Sequence, residues 1–343
     1  MKYREELIEI ANLMVATGKG ILAADESNPT CGKRFDQINL ESSENSRRRY
    51  RNMLFTTPHL EDYISGVILF DETIRQSTFD EIPFPKYLAS KGILPGIKVD
   101  TGAKELALHK NEKVTEGLDG LRNRLIEYRS LGAKFAKWRA VITIGDGIPT
   151  DACIEANAHG LARYASLCQE QGIVPIVEPE VLMDGDHSIE TCFKVTEKAQ
   201  KALFKQLEIQ NVLLEGIILK PSMVISGTEC VEQASIDLVA SETVRCLKNN
   251  VPRCVPGIAF LSGGQSDELA TSHLHLMNEK FKAELPWELT FSYGRALQHP
   301  AIMAWYGKDE NESNAQKILH YRAKCNGLAS KGEHCKVFEK ELV

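Results

Sequence analysis

The stretch Glu215-Gly216-Ile217-Ile218-Leu219-Lys220-Pro221-Ser222-Met223-Val224 (EGIILKPSMV, 215–224) decides the fold. Its apolar, β-branched run reads as a fully buried strand, and Pro221 stops it. Lysine is among the residues least often buried, yet Lys220 stands at the end of this core strand. A strand that delivers an ammonium group to its own end makes sense where many strand ends converge.

Working outward, seven further runs have the same form. They are GILAADES (20–27), ISGVILFDE (64–72), LPGIKVD (94–100), FAKWRAVI (135–142), IVPIVEPEVL (173–182), PGIAFLSGG (256–264) and ELTFSYGR (288–295). Helical segments separate them, such as 151–172 and 189–211, and strands alternating with helices imply parallel strands joined by crossovers. Eight such units point to the α/β class and a closed (β/α)8 TIM barrel. From Asp25 to Arg295 the strand ends step by about 39 residues, more than the roughly 31 of a 250-residue barrel, so insertions are expected. An open doubly wound sheet would want a glycine-rich turn after its first strand, and GILAADESNPTCGKR (20–34) places an acid there. With no linker or low-complexity stretch, residues 1–343 read as one TIM-barrel domain with an N-terminal helix and a short C-terminal tail. Leu7, Ile10, Ala11 and Met14 fall at helical spacing and predict that helix.

The totals narrow the function. The net charge of −6 and pI near 5.9 argue against nucleic-acid binding, so an anionic substrate needs local cations. The N-terminus lacks a signal-type apolar segment, and no apolar stretch nears the ~18 residues of a membrane span. Nine cysteines without a C-x-x-C pair read as reduced thiols, which implies a cytoplasmic protein. His273 and His275 lie two apart, on different faces of a helix. No metal site and no cofactor are expected.

In a barrel the active site lies at the C-terminal ends of the strands. Those ends carry Asp25, Asp71, Lys98, Lys137 with Arg139, Glu178 with Glu180, Lys220, Ser262-Gly263-Gly264, and Ser292-Gly294-Arg295. Residues two apart on a strand share a face. An amine attacks a carbonyl only when unprotonated, and apolar surroundings or a second cation favour that form. Lys220, with its apolar strand and Lys137 opposite, suits Schiff-base formation. The carboxylates suit the proton transfers an imine needs. Glycine turns after the seventh and eighth strands suit phosphate, with Arg295 as a fixed-charge fork. Asp71 reads better as a helix cap, and SRRRYRNMLF (46–55) as the solvated face of a helix whose Met53 and Leu54 pack inward. Lys33 and Arg34 are near enough to the first strand to touch a second phosphate.

These residues carry a resemblance to class I fructose-bisphosphate aldolase, the metal-independent Schiff-base family. GKGILAADES (18–27), GIKVD (96–100), FAKWR (135–139), VEPEVLMDGDH (177–187), KPSMV (220–224), FLSGGQS (260–266) and FSYGRALQHP (291–300) resemble its motifs. The resemblance implies that Lys220 forms the Schiff base and that Glu178, beside Glu180, is the acid/base for dehydration. It implies that Asp25 takes the C4-hydroxyl proton and that Lys137 assists at the imine. Lys98 and Arg139 would face the 6-phosphate end, with Ser262, Gly263, Gly264, Ser292, Gly294 and Arg295 on the 1-phosphate. Ser27, Lys33 and Arg34 match positions facing substrate phosphate. It also implies a homotetramer and a place in glycolysis.

Two departures stand out. Asn28-Pro29-Thr30 replaces the family's usual TGT or TGS, and the terminal CKVFEKELV (335–343) lacks the closing tyrosine of animal members. The residues leave open another Schiff-base aldolase, such as transaldolase or a sedoheptulose-bisphosphate aldolase. A non-catalytic barrel scaffold with cytoskeletal or membrane-pump contacts is the reading from a different class.

Overall fold

The computed structural model describes residues 2–333; the terminal stretch without tyrosine lies outside the described residues. Eight strands close a barrel: β1 (Gly20–Ala23), β2 (Ile64–Leu69), β3 (Leu94–Lys98), β4 (Phe135–Ile142), β5 (Val174–Val181), β6 (Ile218–Leu219), β7 (Gly257–Phe260) and β8 (Glu288–Tyr293). Each pairs in parallel with its sequence neighbours, and β8 returns to β1. The expected (β/α)8 order is the observed one. Helices Asp151–Glu170 and Ile189–Ile209 form where the spacing predicts them.

The floor of the barrel is apolar. Phe135, Ile176 and Ile218 meet Ile21, Ile68 and Ala259 inside it. The Phe135 ring fits because β3 carries glycine opposite it: a Cβ on Gly96 would stand 2.2 Å from the ring. Helix α1 (Arg4–Met14) closes the floor, and its Leu7, Ile10, Ala11 and Met14 join this cluster, all buried as their spacing predicts. Burying each larger side chain contributes roughly 1.5–3 kcal/mol, against which the ordering of the helix must be set.

Some expectations need correction. Strands β4 and β5 run on beyond Lys137 and Glu178, so these residues sit mid-strand. Part of the extra spacing is an antiparallel hairpin, Gly102–Glu105 with Lys113–Glu116, after β3. Asp71 does not cap: it is the first residue of a four-residue helix, and its carboxylate accepts from Arg75 and the Tyr128 hydroxyl, each at 2.9 Å. Helix Glu44–Phe55 does bury Met53 and Leu54, but its basic face is not simply solvated. Arg47, Arg48 and Arg49 pair with Glu72, Glu81 and Asp309. Arg51, one turn before Leu54 and Phe55, faces inward and is 2% exposed.

Candidate active site

Register and the two-residue period build the site. Lys98 lies beside Lys137, Arg139 beside Glu178 and Val141 beside Glu180 on paired strands. Counting up from the floor, β4 points Phe135, then Lys137, then Arg139 into the barrel, while β5 points Ile176, Glu178 and Glu180. The Lys220 N–H bonds to the Val177 carbonyl at 2.8 Å, extending the ladder one step past β6. The side chain therefore enters between the other charges.

The result is a cleft of about 310 Å³ at the C-terminal mouth, lined by six basic and four acidic side chains. In a chain of net charge −6, this local surplus of cations suits an anionic substrate. Asp25, Ser27, Arg34, Lys98, Lys137, Arg139, Glu178, Glu180, Lys220, Ser262, Gly263, Ser292, Gly294 and Arg295 all line it. Lys33 does not: it lies on the exposed side of helix Asn28–Phe35, while the next residue, Arg34, turns inward to Glu26 at 2.7 Å. Gly264 lines an adjoining recess, with its N–H directed at the Met183 sulfur.

At the centre Glu178 bridges two ammonium groups, Lys220 Nζ at 3.0 Å and Lys137 Nζ at 3.4 Å. Lys137 also holds Asp25 at 2.8 Å. Lys220 is 4% exposed, and although its strand is apolar its nitrogen faces a carboxylate directly. Burial pushes the Asp25 carboxyl up, but Lys137 and then Lys220 outweigh it and hold the group well below the ordinary carboxylate range. Burial opposes ionisation of Glu178 too, and Lys137, Lys220 and Arg139 lower it. Lys137 is raised: its burial disfavours charge, and Asp25 and Glu178 reverse that. Nearer the opening, Arg139 pairs with Glu180, and Lys98 with Asp100 at 3.2 Å.

Across the cleft, Gly294 precedes the eleven-residue helix Arg295–Trp305, whose N-terminal N–H groups favour an anion. The Ser292 hydroxyl, 1% exposed, has no hydrogen-bond partner among the described residues, a donor placed beside that helix end. A Cβ on Gly294 would lie 3.1 Å from the Ala23 carbonyl, so glycine permits the close approach of β8 to β1. The Asn28-Pro29-Thr30 departure forms a helix start, where proline is tolerated. The Thr30 hydroxyl reaches Ser27 at 3.0 Å.

Sequence reading missed a buried layer that starts at the cleft with Glu26 and runs behind its wall. Glu26 takes Arg34 and Arg51, the latter at 2.6 Å. Gln298 donates to the Ala23 carbonyl at 2.6 Å and accepts from Tyr50 and Arg34. Glu26 in AADES and Gln298 in GRALQ lay inside the quoted motifs, but nothing local marked them as members of one layer. Among the described residues, no group of three or more His, Cys, Asp or Glu side chains is arranged to hold a metal ion. Cys31, Cys153, Cys168, Cys192, Cys230, Cys246 and Cys254 form no disulfide, and no described helix is long and apolar enough to cross a membrane.

Comparison with known proteins agrees with this architecture. The family "Fructose-bisphosphate aldolase class-I" matches residues 6–342. The chain belongs to that family. It is therefore a metal-independent carbon–carbon lyase, a class I aldolase that cleaves fructose 1,6-bisphosphate reversibly through a lysine Schiff base, in glycolysis. It is 61% identical over 331 residues to a "Probable fructose-bisphosphate aldolase class 1" of Xanthomonas campestris pv. campestris, covering 96% of this chain and 98% of the relative. It is 51% identical to the spinach (Spinacia oleracea) "Fructose-bisphosphate aldolase, cytoplasmic isozyme", covering 97% and 93%. Among solved structures, the Plasmodium falciparum aldolase in complex with TRAP and a small-molecule inhibitor superposes with a TM-score of 0.95. That chain is 48% identical, with 97% of this chain and 96% of that one covered.

Proposed function

We propose that Lys220 is the Schiff-base lysine of this aldolase and that Glu178, Lys137 and Asp25 move its protons. One observation carries the assignment: the Glu178 carboxylate lies between the nitrogens of Lys220 and Lys137, and Lys137 in turn holds Asp25. A proton can pass from Lys220 to Glu178, freeing the amine to add to the C2 ketone of fructose 1,6-bisphosphate. Glu178 then returns the proton to the carbinolamine oxygen, water leaves, and an iminium forms. Asp25, held ionised, removes the C4-hydroxyl proton as the C3–C4 bond breaks and its electrons flow to the iminium nitrogen. Glyceraldehyde 3-phosphate departs. Protonation of the enamine at C3 and hydrolysis free dihydroxyacetone phosphate and restore Lys220. Lys137 stays cationic beside the imine and steadies both carboxylates, while Glu180 fixes Arg139.

The 1-phosphate takes the Ser262-Gly263 and Ser292-Gly294-Arg295 wall. Lys98, Arg139, Ser27 and Arg34 serve the 6-phosphate end. Two phosphate regions favour a bisphosphate, and parallel cleavage of fructose 1,6-bisphosphate, fructose 1-phosphate and sedoheptulose 1,7-bisphosphate ranks the substrates. One barrel domain, a homotetramer and a cytoplasmic location complete the reading. The last of these follows the "cytoplasmic" and "cytosolic" relatives.

Borohydride added with dihydroxyacetone phosphate should reduce the imine and leave a stable adduct on the peptide containing Lys220. An active enzyme that yields no adduct and is silenced by a chelator would overturn the assignment.

A further inference from the structure

The turn after β7 has a support that the proposed mechanism does not use. Gln265 N donates to the Ser262 carbonyl at 3.2 Å, closing the turn over Gly263, whose φ of 56° suits glycine. The same carbonyl receives a second bond from the Gln265 side-chain Nε2 at 3.1 Å. Behind it, on helix Asp267–Phe281, His273 Nδ1 lies 2.6 Å from Gln265 Oε1. Both side chains are buried, Gln265 to 4% exposure and His273 to 2%. On the outer side Arg295 donates to the carbonyls of Gly263 and Gln265, each at 2.9 Å.

The chemistry of the groups fixes their orientation. A reversed Gln265 amide would aim oxygen at the Ser262 carbonyl, acceptor against acceptor. Nε2 therefore faces Ser262 and Oε1 faces His273. An amide oxygen only accepts, so the imidazole must carry its proton on Nδ1. His273 Nε2 has no hydrogen-bond partner among the described residues, and burial pushes the ring down to about 4, so it is neutral near pH 7. A neutral histidine of one tautomer, aimed at a buried amide, does not touch substrate. Its effect must pass through the turn.

We propose that His273 and Gln265 are positioning residues for phosphate binding: the imidazole orients the amide, and the amide holds the Ser262-Gly263 turn in its receptive shape. This rests on the reading of that turn as a phosphate seat. His273→Leu removes the donor at similar volume. Losing one buried hydrogen bond should raise KM for fructose 1,6-bisphosphate and Ki for inorganic phosphate about fivefold, with kcat changed less than about twofold. Gln265→Leu should do the same, and the double variant should be no worse than Gln265→Leu alone, because the two act in series. His273→Asn, whose amide N–H can stand where the imidazole Nδ1–H stands, should restore both constants. Should His273→Leu fail to fold, Gln265→Asn, which shortens the reach of the amide, carries the same expectation.

Arg295→Ala, assayed in parallel, separates the two ideas. If it leaves Ki for phosphate unmoved, the phosphate-seat reading fails. If it raises Ki while the His273 and Gln265 variants keep wild-type constants, the positioning inference is overturned. A His273→Asn variant as weak as His273→Leu would overturn it as well.

Discussion

The two ends of the barrel are built on the same strands and follow opposite rules. At the floor, Phe135, Ile176 and Ile218 pack with α1 in an apolar cluster. Two residues further along each chain, about 7 Å at the rise of a strand, stand Lys137, Glu178 and Lys220. Burying such ions carries a desolvation penalty that pairing only partly offsets, and the apolar floor supplies packing that the mouth cannot. The lesson is a division of labour along every strand, with period-2 alternation keeping both layers inside the same barrel.

The comparison breaks most sharply at Lys220. If Lys220 is the covalent nucleophile proposed above, Lys220→Met should cut kcat by roughly 10⁴ or more. It should also abolish the borohydride adduct while circular dichroism stays native, and a folded variant with near-normal turnover would end the assignment.

Lys137→Met tests the charges of the mouth without removing the proposed nucleophile. The expected fall in kcat is about 10²–10³. Burial then meets less opposition at Asp25 and Glu178, so both carboxyls should titrate higher and the acid limb of the pH–rate profile should move to higher pH. The sign for stability follows from the same directions. In the wild type, this pair contributes fully above the ordinary carboxylate range of roughly 4, and the contribution is lost as pH falls through the depressed folded values. The variant should lose less stability over that acid range, measured by urea denaturation at successive pH values.

Phe135→Ala addresses the floor. Emptying that ring's place should destabilise the fold by about 3–5 kcal/mol, read as a shift in denaturation midpoint. Turnover per folded molecule should stay within about threefold. A large loss of kcat with unchanged stability would mean that the two layers are not separable.

Much of this was legible in the chain. The run FAKWRAVI is β4 residue for residue, because alternation, β-branching and aromatic content all agree there. The N-terminal helix was legible from Leu7, Ile10, Ala11 and Met14 for the same kind of reason. Arg51 was not, since a basic run looks solvated until the helix is docked and Glu26 arrives from another strand end. Lys33 and Arg34 are neighbours in sequence yet point about 100° apart on a helix, and only docking decides which one faces the cleft. His273 and Gln265 carried no local sign of their pairing, eight residues apart across a turn and a helix.

By itself the sequence determined the barrel and the order of its strands, and it singled out the amine proposed as the nucleophile, because those follow from periodicity and from chemistry at strand ends. Tertiary structure decided what each charge faces. Only closure of the barrel set Glu178 between Lys220 and Lys137, since contacts between side chains on separate strands depend on register and distance, which no local pattern encodes.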